Sequence, residues 1–258
     1  MKKEINVIGV IPARYASTRL PAKLLQDLCG KSMLRWTWES ASGARLLDKL
    51  IIACDHPEIE KEAKKIGAEV VNTSDQHTSG TDRIAEAVRD IDAKLVINIQ
   101  ADEPFIHPST IDSLIQEMLA AKDLSMATVK KKIEDQSQIN NSNVVKVICD
   151  KFDFAIYFSR LPIPYYRDNS NDSSFSLKSF RNTYYKHLGI YAYSKDFLYT
   201  FKNLPISKLE KAEKLEQLRA LEAGYKIKVI ETHFDSFGID TSEDLYEAEK
   251  ILMQKGYA

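Results

Sequence analysis

The sequence predicts an α/β protein: three α/β/α layers around a mostly parallel, mixed sheet, carrying an antiparallel β arm. Three observations predict it. Short apolar runs alternate with amphipathic stretches from Ile5 to Ala120. The middle of the chain then loses its helical pattern and reads as β. The end of the chain returns to strand and helix. Strand–helix alternation with short links is the pattern of a parallel sheet with helices on its faces.

The elements follow in order. Ile5–Pro12 (INVIGVIP) is a buried strand, and Ala13–Lys23 (ARYASTRLPAK) is the loop after it. Ser32–Arg45 is amphipathic, and Leu50–Cys54 is a second apolar run. Pro57–Ile66 reads as a charged helix that Gly67 stops, with a short strand at Glu69–Val71. Thr81–Val88 reads as helix, Leu95–Gln100 as buried strand and Pro108–Ala120 as helix. Val144–Cys149, Ala155–Ser159 and Tyr184–Tyr193 are β-like, and Asp168–Asn182, rich in Ser and Asn, reads as a surface loop or hairpin tip. Ser207–Ala223 has one helix's composition with Gly224 as its C-cap, then come a strand at Lys226–Glu231 and a closing helix at Thr241–Gln254. The expected organisation is a single domain over 1–258, with a β-rich insertion at 127–193.

Composition excludes several classes. With 258 residues, 44% of them hydrophobic, the chain can bury a large core. A net charge of −1 provides no global basic field for nucleic acid. The three cysteines, Cys29, Cys54 and Cys149, form no CxxC, so neither a disulfide framework nor a zinc site is expected. The apolar run after Met1 is too short for a signal segment and no stretch reaches the length of a membrane span, so the expectation is a soluble, cytoplasmic chain with no membrane partner.

Chemistry concentrates at strand ends. The loop after the first strand carries Arg14, Arg19 and Lys23 and no acid. Ligands of open α/β sheets bind beyond the carboxyl ends of the strands, and three cations there suit a polyphosphate. Gly30-Lys31-Ser32 lacks the earlier glycine of a Walker A loop, and no GxGxxG occurs. Gln100-Ala101-Asp102-Glu103-Pro104 follows a buried strand directly. Asp102 has the hard oxygens that suit magnesium, and a plain turn cap is the competing reading. Gly238–Asp244 places Asp240 before the last helix, where Asp240 or Ser242 would otherwise serve as N-cap. Ser79-Gly80-Thr81-Asp82-Arg83 opens a helix whose amides suit a phosphate or base edge. His187 and Tyr191 lie on a β candidate where packing is the ordinary role. Glu216-Gln217-Leu218-Arg219 fits a solvated helix face as well as a site.

The ordered set of PARYASTRLPAK (Pro12–Lys23), SGTDR (Ser79–Arg83), QADEP (Gln100–Pro104), YFSR (Tyr157–Arg160), KHLGIYAY (Lys186–Tyr193), LEQLR (Leu215–Arg219) and GIDTSED (Gly238–Asp244) resembles the 3-deoxy-manno-octulosonate (Kdo) cytidylyltransferases. The resemblance spans Val7 to Ala248. It implies a nucleotide-diphospho-sugar transferase-like fold, a homodimer, and conversion of CTP and Kdo to CMP-Kdo and pyrophosphate for lipopolysaccharide biosynthesis. It places Arg14, Arg19, Lys23, Ser79, Gly80, Arg83 and Gln100 on CTP, and Asp102 and Asp240 on Mg2+. Arg160, Arg167, His187, Tyr191, Glu216 and Gln217 fall on the sugar acid. Arg14, Lys23, Asp102 and Asp240 then carry the catalysis.

Three departures stand out. Ala22 and Ala101 replace glycines usual in the family, and Ser242 replaces a proline. An alanine that must adopt positive φ costs about 1 kcal/mol or more. The segment Phe234–Gly238 (FDSFG) also differs from the small-residue run expected before Asp240. These departures keep 8-amino-Kdo or another sugar acid open as substrate, and a non-catalytic nucleotide-binding paralogue open as an alternative.

Overall fold

A computed structural model describes residues 6–17, 19–121, 123–165, 184–254 and 256. β1 (Val7–Ala13) is followed by a 3-10 turn (Lys23–Leu25), a small hairpin of β2 (Asp27–Leu28) and β3 (Lys31–Ser32), and α1 (Met33–Ala41). Then come β4 (Lys49–Cys54), α2 (Pro57–Lys65), β5 (Glu69–Asn72), α3 (Gly80–Ala87), β6 (Leu95–Asn98) and α4 (Pro108–Ala120). The second half holds β7 (Met126–Lys132), the short α5 (Ser137–Asn140), β8 (Lys146–Cys149), β9 (Ala155–Ser159) and β10 (Tyr185–Ser194). It closes with α6 (Lys195–Asn203), α7 (Lys208–Glu213), α8 (Leu218–Glu222), β11 (Lys228–Thr232) and α9 (Ser242–Gln254).

The main sheet runs β11-β7-β10-β6-β1-β4-β5. β10 is antiparallel to both neighbours, and the other pairs along this path are parallel. The expected mixed sheet is therefore present.

Strand periodicity divides the core in two. Val7, Ile11 and Ala13 of β1 join residues of α1, α2, α4 and α9 in one apolar cluster. Ile8 and Val10 join α3, α6 and α8 in the other. Successive side chains of a strand point to opposite faces, so helices cover both and three layers result.

The connections set the position of the site. After β1 the chain moves to β4 and β5 on one side, and later returns to β6 on the other side of β1. Such a reversal is a topological switch point, and it opens a crevice at the carboxyl ends of β1 and β6.

Two expectations are corrected here. The 127–193 segment is not set apart from the sheet: β7 and β10, at its ends, are interior strands. Among the described residues of this segment, the β8–β9 hairpin alone leaves the main path, meeting β10 at Lys186 opposite Lys146. Local β pattern gives strand type but not strand neighbours: β7 buries Met126–Val129 and pairs its buried Lys130 and Lys131 with acids, which the local pattern does not show. The helix expected over Ser207–Ala223 is two helices. Ser207 and Glu210 form a capping box that starts α7, and Lys214 ends it in left-handed conformation at φ 55°. The break turns Leu215 inward and frees Glu216 and Gln217 from a solvated helix face. Arg167 and the loop Asp168–Asn182 lie outside the described residues.

Candidate active site

The first loop leaves β1 at Ala13, and Arg14 is exposed at its start. Asp55, directly after β4, fixes this loop: its Oδ1 accepts the Tyr15 backbone N–H at 3.0 Å. The Tyr15 ring stacks on His56 with centroids 3.8 Å apart. Farther on, Ala22 adopts φ 48°, ψ 38°, in the left-handed region, immediately before the turn that carries Lys23. The usual glycine position therefore does need positive φ here. Ala101 shows no such strain and packs in the core, its carbonyl accepting from Thr37 Oγ1 at 2.9 Å.

The turn after β6 presents Asp102 from the opposite wall. Asp240 arrives from the far end of the chain, because the Ile239 N–H bonds the Asp102 carbonyl at 3.0 Å. The N-cap of α9 is Thr241, not Asp240 or Ser242: Thr241 Oγ1 accepts from the Asp244 N–H at 3.2 Å. The Asp244 carboxylate answers by accepting from the Thr241 N–H at 2.9 Å and the Asp240 N–H at 3.0 Å. That reciprocal cap leaves the Asp240 side chain to the crevice.

The two carboxylates meet on Lys23. Its Nζ donates to Asp102 Oδ2 at 2.5 Å and to Asp240 Oδ1 at 2.9 Å. Arg19 pairs with the other Asp240 oxygen at 2.8 Å. Burial alone would lower the Lys23 pKa, but Asp102 and Asp240 outweigh it and hold the ammonium above its ordinary range. For Asp240, burial pushes upward, yet Lys23 and Arg19 prevail and keep its carboxyl below the ordinary range.

A cleft of about 300 Å³ is lined by Arg14, Arg19, Lys23, Ser79, Gly80, Arg83, Gln100, Asp102 and Asp240. All the residues expected on CTP and on the metal are thus brought together. Their states differ. Ser79 caps α3, accepting the Asp82 N–H at 3.1 Å. Arg83 is 3% exposed, and its guanidinium is engaged by Asp55 Oδ2 at 2.7 Å and Thr73 Oγ1 at 2.6 Å. It forms part of the wall and ties it to the ends of β4 and β5. His77 also lines the cleft and pairs with Glu86.

Of the residues expected on the sugar acid, the described ones, Arg160, His187, Tyr191, Glu216 and Gln217, do not line this cleft. Glu216 Oε2 accepts from Thr81 Oγ1 at 2.8 Å, which ties Glu216 to the first turn of α3 beside Ser79 and Gly80. Burial raises the Glu216 pKa. Gln217 is buried, and its Nε2 has no hydrogen-bond partner. His187 lies 5.4 Å from the buried Tyr191 ring and edge-on to Phe158, with Nε2 2.9 Å from Thr128 Oγ1. Arg160 donates to the carbonyls of Glu213 at 2.7 Å and Ser142 at 2.9 Å, so its guanidinium holds the β8–β9 hairpin in place.

Asp55, Glu103, Ser236 and His77 are the site-supporting residues that sequence reasoning missed. Asp55 carries a faint signal: an acid directly after a buried strand, hidden by its second reading as an acid near a helix start. Ser236 carries none.

Cationic walls, two converging carboxylates and a crevice at a switch point define a nucleotidyltransferase-type site. A family model described as "Cytidylyltransferase" matches residues 8–227. A 3-deoxy-manno-octulosonate cytidylyltransferase from Solibacter usitatus is 45% identical over 247 residues, covering 96% of this chain and 94% of the relative. One from Fusobacterium nucleatum is 46% identical over 251 residues, covering 97% and 98%. A solved structure of CMP:2-keto-3-deoxy-manno-octonic acid synthetase complexed with CTP superimposes with a TM-score of 0.88 at 36% identity, covering 97% of this chain and 99% of that one. The chain belongs to the 3-deoxy-manno-octulosonate cytidylyltransferase family.

Two outcomes follow from this geometry. Ala22→Gly relieves a left-handed alanine, so the variant is expected to gain about 1 kcal/mol in urea unfolding; an unchanged midpoint would show that the turn carries no strain. Burial pushes the His187 imidazole down to about 3. A base with a folded pKa below its unfolded value of about 6.5 costs no stability above that pH, and destabilises as pH falls through 6.5 toward the folded value. Stability measured from pH 7 to pH 4 should therefore decline less steeply in His187→Asn than in the parent chain; parallel curves would contradict this.

Proposed function

We propose that this chain transfers the cytidylyl group of CTP to the anomeric hydroxyl of Kdo, giving CMP-Kdo and pyrophosphate. The observation that carries this reading is the meeting of Asp102 and Asp240 on one cation inside a cleft walled by Arg14 and Arg19.

The residues present fit Mg2+. Two carboxylates from distant segments offer hard oxygens to one point, where Lys23 Nζ already stands as a monovalent cation. Magnesium is bound by one or two carboxylates together with substrate phosphates, so two protein ligands suffice. Held by Asp102 and Asp240, the ion would neutralise phosphate charge and favour ionisation of the attacking hydroxyl.

The chain's own groups do the rest. Arg14 and Arg19 offer directional hydrogen bonds to the triphosphate, and Lys23 a compact charge. Lys23, which stands between Asp102 and Asp240, would counter charge on the departing pyrophosphate. The amides at the start of α3 suit the cytidine side. Gln217, whose buried Nε2 has no hydrogen-bond partner, and the Glu216 carboxylate would bond sugar hydroxyls. His187 stays neutral and offers one ring nitrogen. No covalent intermediate is needed: positioning and electrostatics account for the acceleration.

The chain is also proposed to work in the cytoplasm as a homodimer. Among the described residues no helix is long and apolar enough to cross a membrane. On and beyond β9, Ile156, Leu161 and Tyr165 are 58%, 70% and 81% exposed, an apolar edge that suits a second copy.

A substrate panel tests the reading. Pyrophosphate release is measured with Kdo, 8-amino-Kdo and a sialic acid, each with CTP, UTP and ATP. Release with CTP and Kdo is expected, and Asp240→Asn should reduce it on the order of 10²–10³-fold while melting like the parent. Release with no pair would leave a non-catalytic nucleotide binder, and a preference for another acid would replace Kdo.

A further inference from the structure

The separation of Asp102 and Asp240 must be set by something other than the two side chains themselves. The segments that carry them are fastened together behind the cleft. The Phe105 and Phe237 rings stack at 5.1 Å, and those of His107 and Phe234 at 3.4 Å. At the centre stands Glu103, 8% exposed. Its Oε2 accepts from Ser236 Oγ at 2.9 Å, and Ser236 is itself 3% exposed. The Gly189 N–H donates to the same carboxylate.

Gly189 lies where the register of β10 against β7 shifts, between Leu188 and Tyr191. A Cβ there would stand 2.6 Å from Glu103 Oε1, so only glycine allows this approach. Glu103 thus joins three parts of the chain: the turn after β6, the bulge of β10, and the segment leading to Asp240. Neither Glu103 nor Ser236 lines the cleft. A carboxylate beside another acid and out of water is unfavourable for stability, and an apolar residue would fill the space at less cost. Its place at this junction therefore calls for a role in geometry.

Resting on the function proposed above, we infer that Glu103, held by Ser236 and Gly189, is a positioning residue that sets the spacing of Asp102 and Asp240 for one divalent ion on bound CTP. It touches neither substrate nor ion. It acts through the backbone of the Asp102 turn and of the segment 236–240. Displacing a metal ligand by an ångström changes the site far more than it changes the fold.

Calorimetric titration of CTP into the intact protein, with and without magnesium and without sugar acid, separates this role from general stability. The variants are Ser236→Ala, Glu103→Met and Glu103→Gln. Magnesium should tighten CTP binding in the parent, and Ser236→Ala and Glu103→Met should lose about tenfold of that tightening. Their metal-free CTP affinity should stay within about twofold of the parent, whose cleft walls they leave intact. Glu103→Gln keeps hydrogen-bonding groups toward both partners and should retain the effect within about threefold. Should Glu103→Met fail to fold, Ser236→Ala and Glu103→Gln still decide the matter. A normal magnesium effect in Ser236→Ala would overturn the inference, as would an equal loss of metal-free affinity. A parent protein that binds CTP without any magnesium effect would instead overturn the metal reading, and this inference with it.

Discussion

Two ionised carboxylates do not sit at one point without a cation between them, and the rest of the site depends on that constraint. Asp102 and Asp240 both reach Lys23 Nζ. Like charges so close repel, and the repulsion grows as water is excluded. The Lys23 ammonium removes it, and Arg19 balances the remaining Asp240 oxygen. The wall is therefore organised before any ligand arrives, and its centre is a position that a cation must fill. The proposed function would put a divalent ion on these same carboxylate oxygens, together with substrate phosphates.

The scaffold makes this meeting possible from residues at opposite ends of the chain. The switch of direction at β1 leaves an opening between the ends of β1 and β6, so Lys23 and Asp102 approach from either side. β11 and α9 return the chain to the same end, and the Thr241–Asp244 cap aims Asp240 inward. Asp55 and Arg83 brace the cleft wall near the start of α3 much as Glu103 and Ser236 are inferred to brace the carboxylate pair. In both places an ionisable group out of water is held by hydrogen bonds to neighbouring segments.

Much of this was legible in the sequence, for identifiable reasons. Period-2 and period-3.6 patterns gave most strands and helices. Arg14 and Lys23 stood out because a loop after a buried strand carries cations and no acid, whereas Asp102 alone read equally well as a turn cap and was singled out by the resemblance. The strand order was not legible: whether β10 lies inside the sheet depends on pairings that local patterns do not encode. Nor was the break at Lys214, where the capping box of Ser207 and Glu210 and the burial of Leu215 override good helix formers. Ser236 was illegible because one hydroxyl in a loop carries no pattern, and its partner Glu103 read as a turn acid before Pro104. Ala22 was legible as a question of backbone conformation, and the left-handed turn answers it.

The most direct measurement is anomalous diffraction at the manganese edge from crystals grown with MnCl2 and CTP. One peak within bonding distance of a carboxylate oxygen of Asp102 and of Asp240, with Lys23 Nζ moved off their shared position, is the expected result. A peak touching only one of the two aspartates, or lying outside the cleft while Lys23 still bridges them, would contradict the shared cation site.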